Sequence, residues 1–476
     1  PMEGAPLLMN LDKVGGLDAG ELALLRKIGA RVSAHQADNL QLQAWYDAKV
    51  KVPNLGLALP ERTGSRVRTV AGWPGMVVDA LEERLDIDGF DGPTREAAGQ
   101  IWAENYLDSQ YSEAHIEALV HGVAFIVTDK GGPGDPQVVI TVESPLTTSG
   151  IWDPVRRRLS AAATFITDPE NPARVLAATL YLPNETIQLD GDGTGALQAR
   201  DSIAHNLGRP TVECLVNRPR TSKPWGRSEI TEPIISYTQA AIRTLLRAEI
   251  GSEFFSAPQR YVLNMSEDMF GPDRSMAEQA LKMYAGHMMM FSAGDPDDPV
   301  PQLGQFAASS PAPFIEMVKM YAQMVAGEAA LPPTYLGFVT DNPASADQIR
   351  ATEARHVKRA ERRQRTFGRA WQAALTTAVA LGGGTFPDNR LAVRWKDAST
   401  PTKAATTDAV VKQVQAGILP TNSPVTFHEL GFDEAATNQL LQAQAQISRQ
   451  QVMLATLAGG QLNGPGAGVD RGPGGE

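Results

Sequence analysis

The stretch "SADQIRATEARHVKRAERRQRTFGRAW", residues 345–371, has helical spacing from end to end, and eight of its residues are Lys or Arg. The chain as a whole carries a formal net charge of −11. A basic helix in an acidic chain needs something to lie against. Ser345 and Gln348 form a capping box that starts the helix. Its apolar face is Ile349, Val357, Ala360, Phe367, Trp371 and Leu375, with basic residues around the rest of the circumference. The glycines at 382–384 stop it.

Immediately before this helix, "LPPTYLGFVTDNPA" (331–344) holds three prolines and a glycine, which forbid a regular helix, and it carries no Lys or Arg. Upstream, "FIEMVKMYAQMVAGEAA" (314–330) and "SEITEPIISYTQAAIRTLLRAEIGSEFF" (228–255) are helical. Ser228 is placed to cap the second of these, with Glu229 and Glu232 in its first turn, where negative charge suits a helix N-terminus. Between them lie a strand-like "APQRYVLN", a short helix at 275–286 and a turn-rich run at 292–306. Downstream, "LAVRWKD" (391–397) is strand-like and three helical segments follow over 402–457. The Gly-rich tail cannot bury a core and is expected to be disordered.

The first hundred residues are helical with breaks, and 95–122 reads as one or two helices ending near Gly122. The period then changes to two. "FIVTD", "QVVITVES", "SAAATFI", "RVLAATLYL" and "ETIQL", separated by turn signals, predict an antiparallel meander. The fold class is therefore α+β and mostly helical. At 476 residues, two or more structural units are expected.

Composition excludes several classes. Apolar content of 42% with 20% charged residues suits a folded protein, and no run approaches the roughly 18 apolar residues of a membrane span. The start of the chain lacks the basic-then-apolar layout of a secretory signal. Cys214 is the single cysteine, so no disulfide forms within the chain, and synthesis in a reducing cytoplasm is expected. The acidic balance opposes coating of nucleic acid through many phosphate contacts, unless the DNA is let through rather than held. There is no GxxxxGK[ST], HExxH, CxxC or GxSxG, and the seven histidines have no metal-ligand spacing, so structural roles are expected for them.

Two motifs tempt a functional reading. "DGDGTGALQARD" sets Asp190, Asp192 and Thr194 at the first, third and fifth places of a calcium loop, with Asp201 at the twelfth. A strand precedes it and Asp replaces Glu at the last place, so a Gly-rich hairpin tip is the expected structure, with neither metal nor cofactor. "TDAVVKQVQAGILPTNSPVTFHEL" has the outline of a helix-turn-helix, but its second helix offers few side chains able to read bases. An ordinary helical hairpin is expected there.

Five stretches occur in a fixed order: "ESPLTTSGIWDPVRRRLSAAATF", "VNRPRTSKPWGRSEITEPI", "SAPQRYVLN", the run from "LPPTYLGFV" to "TFGRAW", and "VKQVQAGILPTNSPVTFHELGF". In order and spacing the chain resembles the portal proteins of tailed double-stranded DNA phages, of the siphophage type with long non-contractile tails. The resemblance implies a dodecamer ring at one capsid vertex, without enzymatic activity, through which DNA is packaged and ejected. It implies a wing (1–227, with a long helix and strand at 345–401), stem helices (228–256 and 311–330), a clip (257–310), a tunnel loop (331–344), a crown (402–457) and a disordered tail (458–476). Implied partners are further copies of the chain, the passing DNA, the terminase large subunit, a head-completion or adaptor protein, the major capsid protein and a scaffolding protein. The implied location is the virion, after assembly in the host cytoplasm.

On that resemblance Pro332, Pro333, Thr334, Tyr335, Leu336, Phe338 and Asn342 are the DNA-facing residues of the tunnel loop. Arg355, Lys358, Arg359, Arg362 and Arg363 serve either assembly, by neutralising acidic surfaces such as "LDSQYSEAHIEA" or a neighbouring subunit, or DNA contact. Alternatives of other classes are a DNA-processing packaging enzyme, which needs a nucleotide loop or carboxylates at metal spacing, and a regulator that binds DNA through the C-terminal hairpin.

Overall fold

A computed structural model describes residues 9, 11–53, 69–171, 173–192, 195–255, 260–263, 302–305, 310–337, 346–384, 391–399, 403–432 and 434–459. The chain forms two compact units, Pro1–Ala398 and Ser399–Glu476.

In the first unit, β1 (Val14–Gly15) leads into α1 (Ala19–Tyr46), opened by a capping box between Asp18 and Glu21. Next come α2 (Trp73–Glu82), β2 (Ile87–Asp91), α3 (Arg95–Glu104) and α4 (Leu107–His121). The 95–122 region is thus two helices. They part at Tyr106, whose φ of 52° no helix continues through, and Gly122 (φ 96°) ends the second in a left-handed cap.

The strands are β3 (Val123–Lys130), β4 (Val138–Glu143), β5 (Thr148–Asp153), β6 (Arg158–Thr167), β7 (Val175–Tyr181), β8 (Glu185–Gly191), β9 (Leu197–Ala204) and β10 (Val212–Val216). They form two sheets rather than the single meander expected from periodicity. The meander holds from β5 to β9, with β1 added in parallel at its β9 edge. β3 and β4 leave it to form a separate sheet in which β3 pairs with both β4 and β10. The reason lies in the burial of β3, where Val123 to Thr128 are all buried and no solvent face exists. Ala124 and Ile126 point into the helical core, whereas Val123, Phe125 and Val127 pack with Leu159, Ala162 and Tyr181 of the larger sheet. β3 is the middle layer of a three-layer stack.

The chain then runs through α5 (Glu232–Phe255), β11 (Arg260–Leu263), β12 (Gln302–Gln305) and α6 (Ala312–Ala329). β11 and β12 pair antiparallel at one end of the two helices. At the other end Thr231 Oγ1 lies 3.5 Å from Glu328 Oε1, so α5 and α6 form an antiparallel hairpin. α5 starts at Glu232, later than expected. The Ser228 hydroxyl accepts from the Ile230 amide (2.9 Å), and Glu229 lies outside the helix.

After α6 the Pro-rich segment makes a single three-ten turn, Pro333–Leu336. α7 (Ala346–Leu381) is the long basic helix and ends where the glycines begin. Ser345 lies outside the described residues, as does the Ile349 side chain. The lower half of α7 crosses the core: Phe367, Trp371, Ala374, Leu375 and Ala378 are fully buried. Trp371 meets Trp102 edge-on at 5.2 Å and donates its indole N–H to His115 Nε2 at 3.1 Å. β13 (Ala392–Trp395) returns to pair with β2. The second unit is helical: α8 (Lys403–Gln415), α9 (Pro424–Glu429) and α10 (Glu434–Gly459). No helix among the described residues is long and apolar enough to cross a membrane.

Candidate functional site

The upper half of α7 lies across the open end of the α5–α6 hairpin. Here its cations meet their counter-ion, the Glu229 carboxylate, whose side chain is 0% exposed. Arg363 Nη2 donates to Glu229 Oε1 and Arg359 Nη2 to Oε2, while Arg218 Nη1 stands 3.5 Å from Oε2. Asn217, itself fully buried, donates from Nδ2 to Glu229 Oε1 (3.1 Å) and to the Arg227 carbonyl (2.8 Å), and its Oδ1 accepts from Arg363 Nε (3.2 Å). Burial alone pushes the Glu229 carboxyl up. The guanidiniums of Arg363, Arg359 and Arg218 outweigh that and hold its pKa at about 2. Arg359 also donates through Nη1 to the Glu328 carbonyl (3.0 Å) at the C-terminal end of α6, where the helix dipole favours a cation. One arginine therefore ties the entry of α5 to the exit of α6.

Of the acidic surfaces named for the basic helix, the one at 107–118 is not where Arg359 and Arg363 lie. α7 reaches that segment through the Trp371–His115 contact, an aromatic one, while Arg359 and Arg363 are spent on Glu229 of the same chain. Arg355, Lys358 and Arg362 remain exposed, Lys358 beside Glu361 at 2.9 Å. Sequence reasoning missed Arg218 and Asn217 and took Glu229 for a helix-terminal acid. Its signal was present: in "NRPRTSKPWGRSE" (217–229) Glu229 is the only acid after four basic residues. The turn that brings it inward depends on Gly226, at φ 71°, where a Cβ would lie 2.1 Å from the Asn217 carbonyl oxygen.

A second anchor holds the Pro-rich segment. Arg84, 7% exposed, donates from Nη2 to the Tyr335 hydroxyl (2.8 Å) and from Nη1 to the Ala398 carbonyl (2.6 Å). The Tyr335 hydroxyl donates to Glu353 Oε1 on α7 (3.2 Å), and Arg84 lies 3.4 Å from the same oxygen. Pro332 and Leu336 are buried, Tyr335 is half-buried, and Pro333 and Thr334 are exposed. Phe338 and Asn342 lie outside the described residues.

Asp190 and Asp201 sit on the β8–β9 hairpin, where Arg200 bonds Asp190 (2.9 Å), and Asp192 accepts from the Ala196 amide at the tip (3.2 Å). Thr194 lies outside the described residues. Among those described, no group of three or more His, Cys, Asp or Glu could hold a metal ion. α9 spans only Pro424–Glu429, short for a DNA-reading helix.

An unsatisfied surface completes the site. On α6, Met317, Met320 and Met324 are 39%, 46% and 42% exposed and follow one another at helical spacing. The molecule is thus a braced helical hairpin with an open methionine stripe, joined to a layered body. Residues 34–451 match the family described as phage portal protein, SPP1 Gp6-like, and the chain belongs to that family. The portal protein of Mycobacterium phage L5 is 34% identical over 385 residues, covering 78% of this chain and 77% of the relative. That of Mycobacterium phage D29 is 34% identical over 400 residues, 80% of each. Among solved structures, a chain of the virion of a native gene transfer agent particle aligns over 83% of this chain and 93% of its own length, with a TM-score of 0.45 and 13% identity. Portal proteins are structural components of the virion rather than enzymes.

Proposed function

We propose that copies of this chain close into a twelve-membered ring at one capsid vertex, and that its central channel passes double-stranded DNA during packaging and ejection. The α6 stripe carries this reading. Exposed apolar surface in register along a helix is stable when a neighbouring copy covers it. In that ring α5 and α6 form the stem, 257–310 the clip, 331–344 the tunnel loop and 402–457 the crown. The remainder, including α7, is the wing. Terminase and, later, the head-completion protein would dock at the clip, with capsid and scaffolding proteins around the wing.

Pro333 and Thr334, together with Phe338 and Asn342, would face DNA, while Tyr335 secures the base of the loop. The absence of Lys and Arg from 331–344 favours sliding, since phosphate contacts add up and hold. Arg355, Lys358 and Arg362, with Arg365 and Arg369, are exposed cations of α7 available to a neighbour or to DNA. Negative-stain microscopy of the purified protein tests the reading: perforated rings are expected, and a compact monomer under all conditions of concentration and salt would refute it.

A further inference from the structure

A cavity of about 220 Å³ lies between α1, the end of α4, β5 and the turn after β10. Its polar lining is Arg31, His35, Asn39, His121, Thr148 and Ser149, with Trp225 as one wall and no Asp or Glu among the lining residues. The Arg31 guanidinium stacks on Trp225, 4.6 Å from the ring centroid. Its Nε is buried without a partner, and no described residue forms a hydrogen bond or ion pair with it. The His121 side chain is 1% exposed, and its Nδ1 is likewise buried without a partner, while Nε2 faces Glu117 at 3.5 Å. The Cys214 thiol is within electrostatic reach of Arg31, but burial pushes its pKa up to about 12, so it supplies no negative charge at neutral pH.

A half-buried guanidinium with no counter-charge is costly unless an anion completes it. The fork of its two terminal nitrogens matches a carboxylate or phosphate edge, and those are the groups arginine binds in two-point fashion. We propose that this cavity is an oxyanion site, in which Arg31 takes a carboxylate or phosphate group against the Trp225 wall. His121, Asn39 and Ser149 line the rest of the cradle. The anion is either a small free one or the side chain of an Asp or Glu from a second copy of the chain. The site stands independently of the ring reading.

The experiment is isothermal titration of the full-length protein, held as protomers, with sodium phosphate and separately with glutarate. Ionic strength is kept constant with chloride, and wild type is compared with Arg31→Gln and Trp225→Phe. Saturable binding that weakens at least tenfold in Arg31→Gln, with an anion-free melting temperature no lower than wild type, supports a free anion. No binding by protomers, but self-association reduced by Arg31→Gln and competed by phosphate, supports a carboxylate from a second copy. If wild type neither binds these anions nor differs from Arg31→Gln in self-association, the proposal is overturned. It is overturned equally if Arg31→Gln lowers the anion-free melting temperature while anion binding stays at the wild-type level.

Discussion

Arg363 Nη2 donates to Glu229 Oε1 although 134 residues separate the two in the chain. That bond lies at the crossing of the basic helix and the helical hairpin. It determines which arginines of α7 are structural and which are open to partners.

Removing Glu229 leaves Arg359 and Arg363 facing each other, with Arg218 beside them, and no counter-charge. Glu229→Ala is expected to destabilise the first unit by about 3–5 kcal/mol, as for breaking a buried ion pair from one side. Arg362→Ala, on the exposed face, should stay within about 0.5 kcal/mol of wild type. Denaturant melts followed by circular dichroism would show this, and equal effects of the two substitutions would refute the assignment. Charge reversal at Arg359 or Arg363 therefore tests folding. DNA contact and subunit contact are tested at Arg355, Lys358 and Arg362.

Acid should weaken the fold through identifiable groups. Burial lowers the pKa of His115 from 6.5 to about 3 and that of His121 to about 4, and Glu229 is held at about 2 against an ordinary 4.5. Each binds fewer protons folded than unfolded. The two histidine contributions are complete above pH 6.5 and fall away below it, and that of Glu229 is complete above 4.5 and is lost as the pH falls toward 2. Burial raises Glu82, Glu117, Asp129 and Glu143, which act in the opposite sense, so the measurement is a difference between variants. His115→Gln should lose less melting temperature between pH 7 and pH 4 than wild type does. An unchanged loss would show that His115 does not titrate as described.

The Tyr335 hydroxyl joins Arg84 to Glu353, and so joins the Pro-rich turn to α7. Tyr335→Phe removes both hydrogen bonds and leaves the Arg84 guanidinium one acceptor short. A loss of about 1–3 kcal/mol is expected. Limited proteolysis should also cut the Pro-rich turn faster in the variant. Wild-type stability and wild-type cleavage together would mean that the hydroxyl does not anchor the segment.

The methionine stripe should matter to assembly and little to the protomer. Met317, Met320 and Met324 changed together to Gln are expected to abolish rings by sedimentation velocity and microscopy, with the protomer's melting transition nearly unchanged. Rings of normal yield from that variant would remove the stripe from the proposed interface.

Much of this molecule was decided locally. The period of α7, its stop at Gly382–Gly384, the break at 331–337 and the helical 95–122 region all follow from interactions within a few residues, and these were legible in the sequence. The order and spacing of five stretches between Glu143 and Phe432 likewise carry the resemblance to the portal family. Other features needed the tertiary structure: the departure of β3 and β4 from the meander, the pairing of β2 with β13, and the encirclement of Glu229 by Arg218, Arg359 and Arg363. A strand's partner and a carboxylate's counter-ions are chosen by which distant segments share its surroundings once water has been expelled. Period and spacing cannot report that. The sequence shows that α7 is basic, but only packing reveals that two of its arginines are turned inward onto one acid.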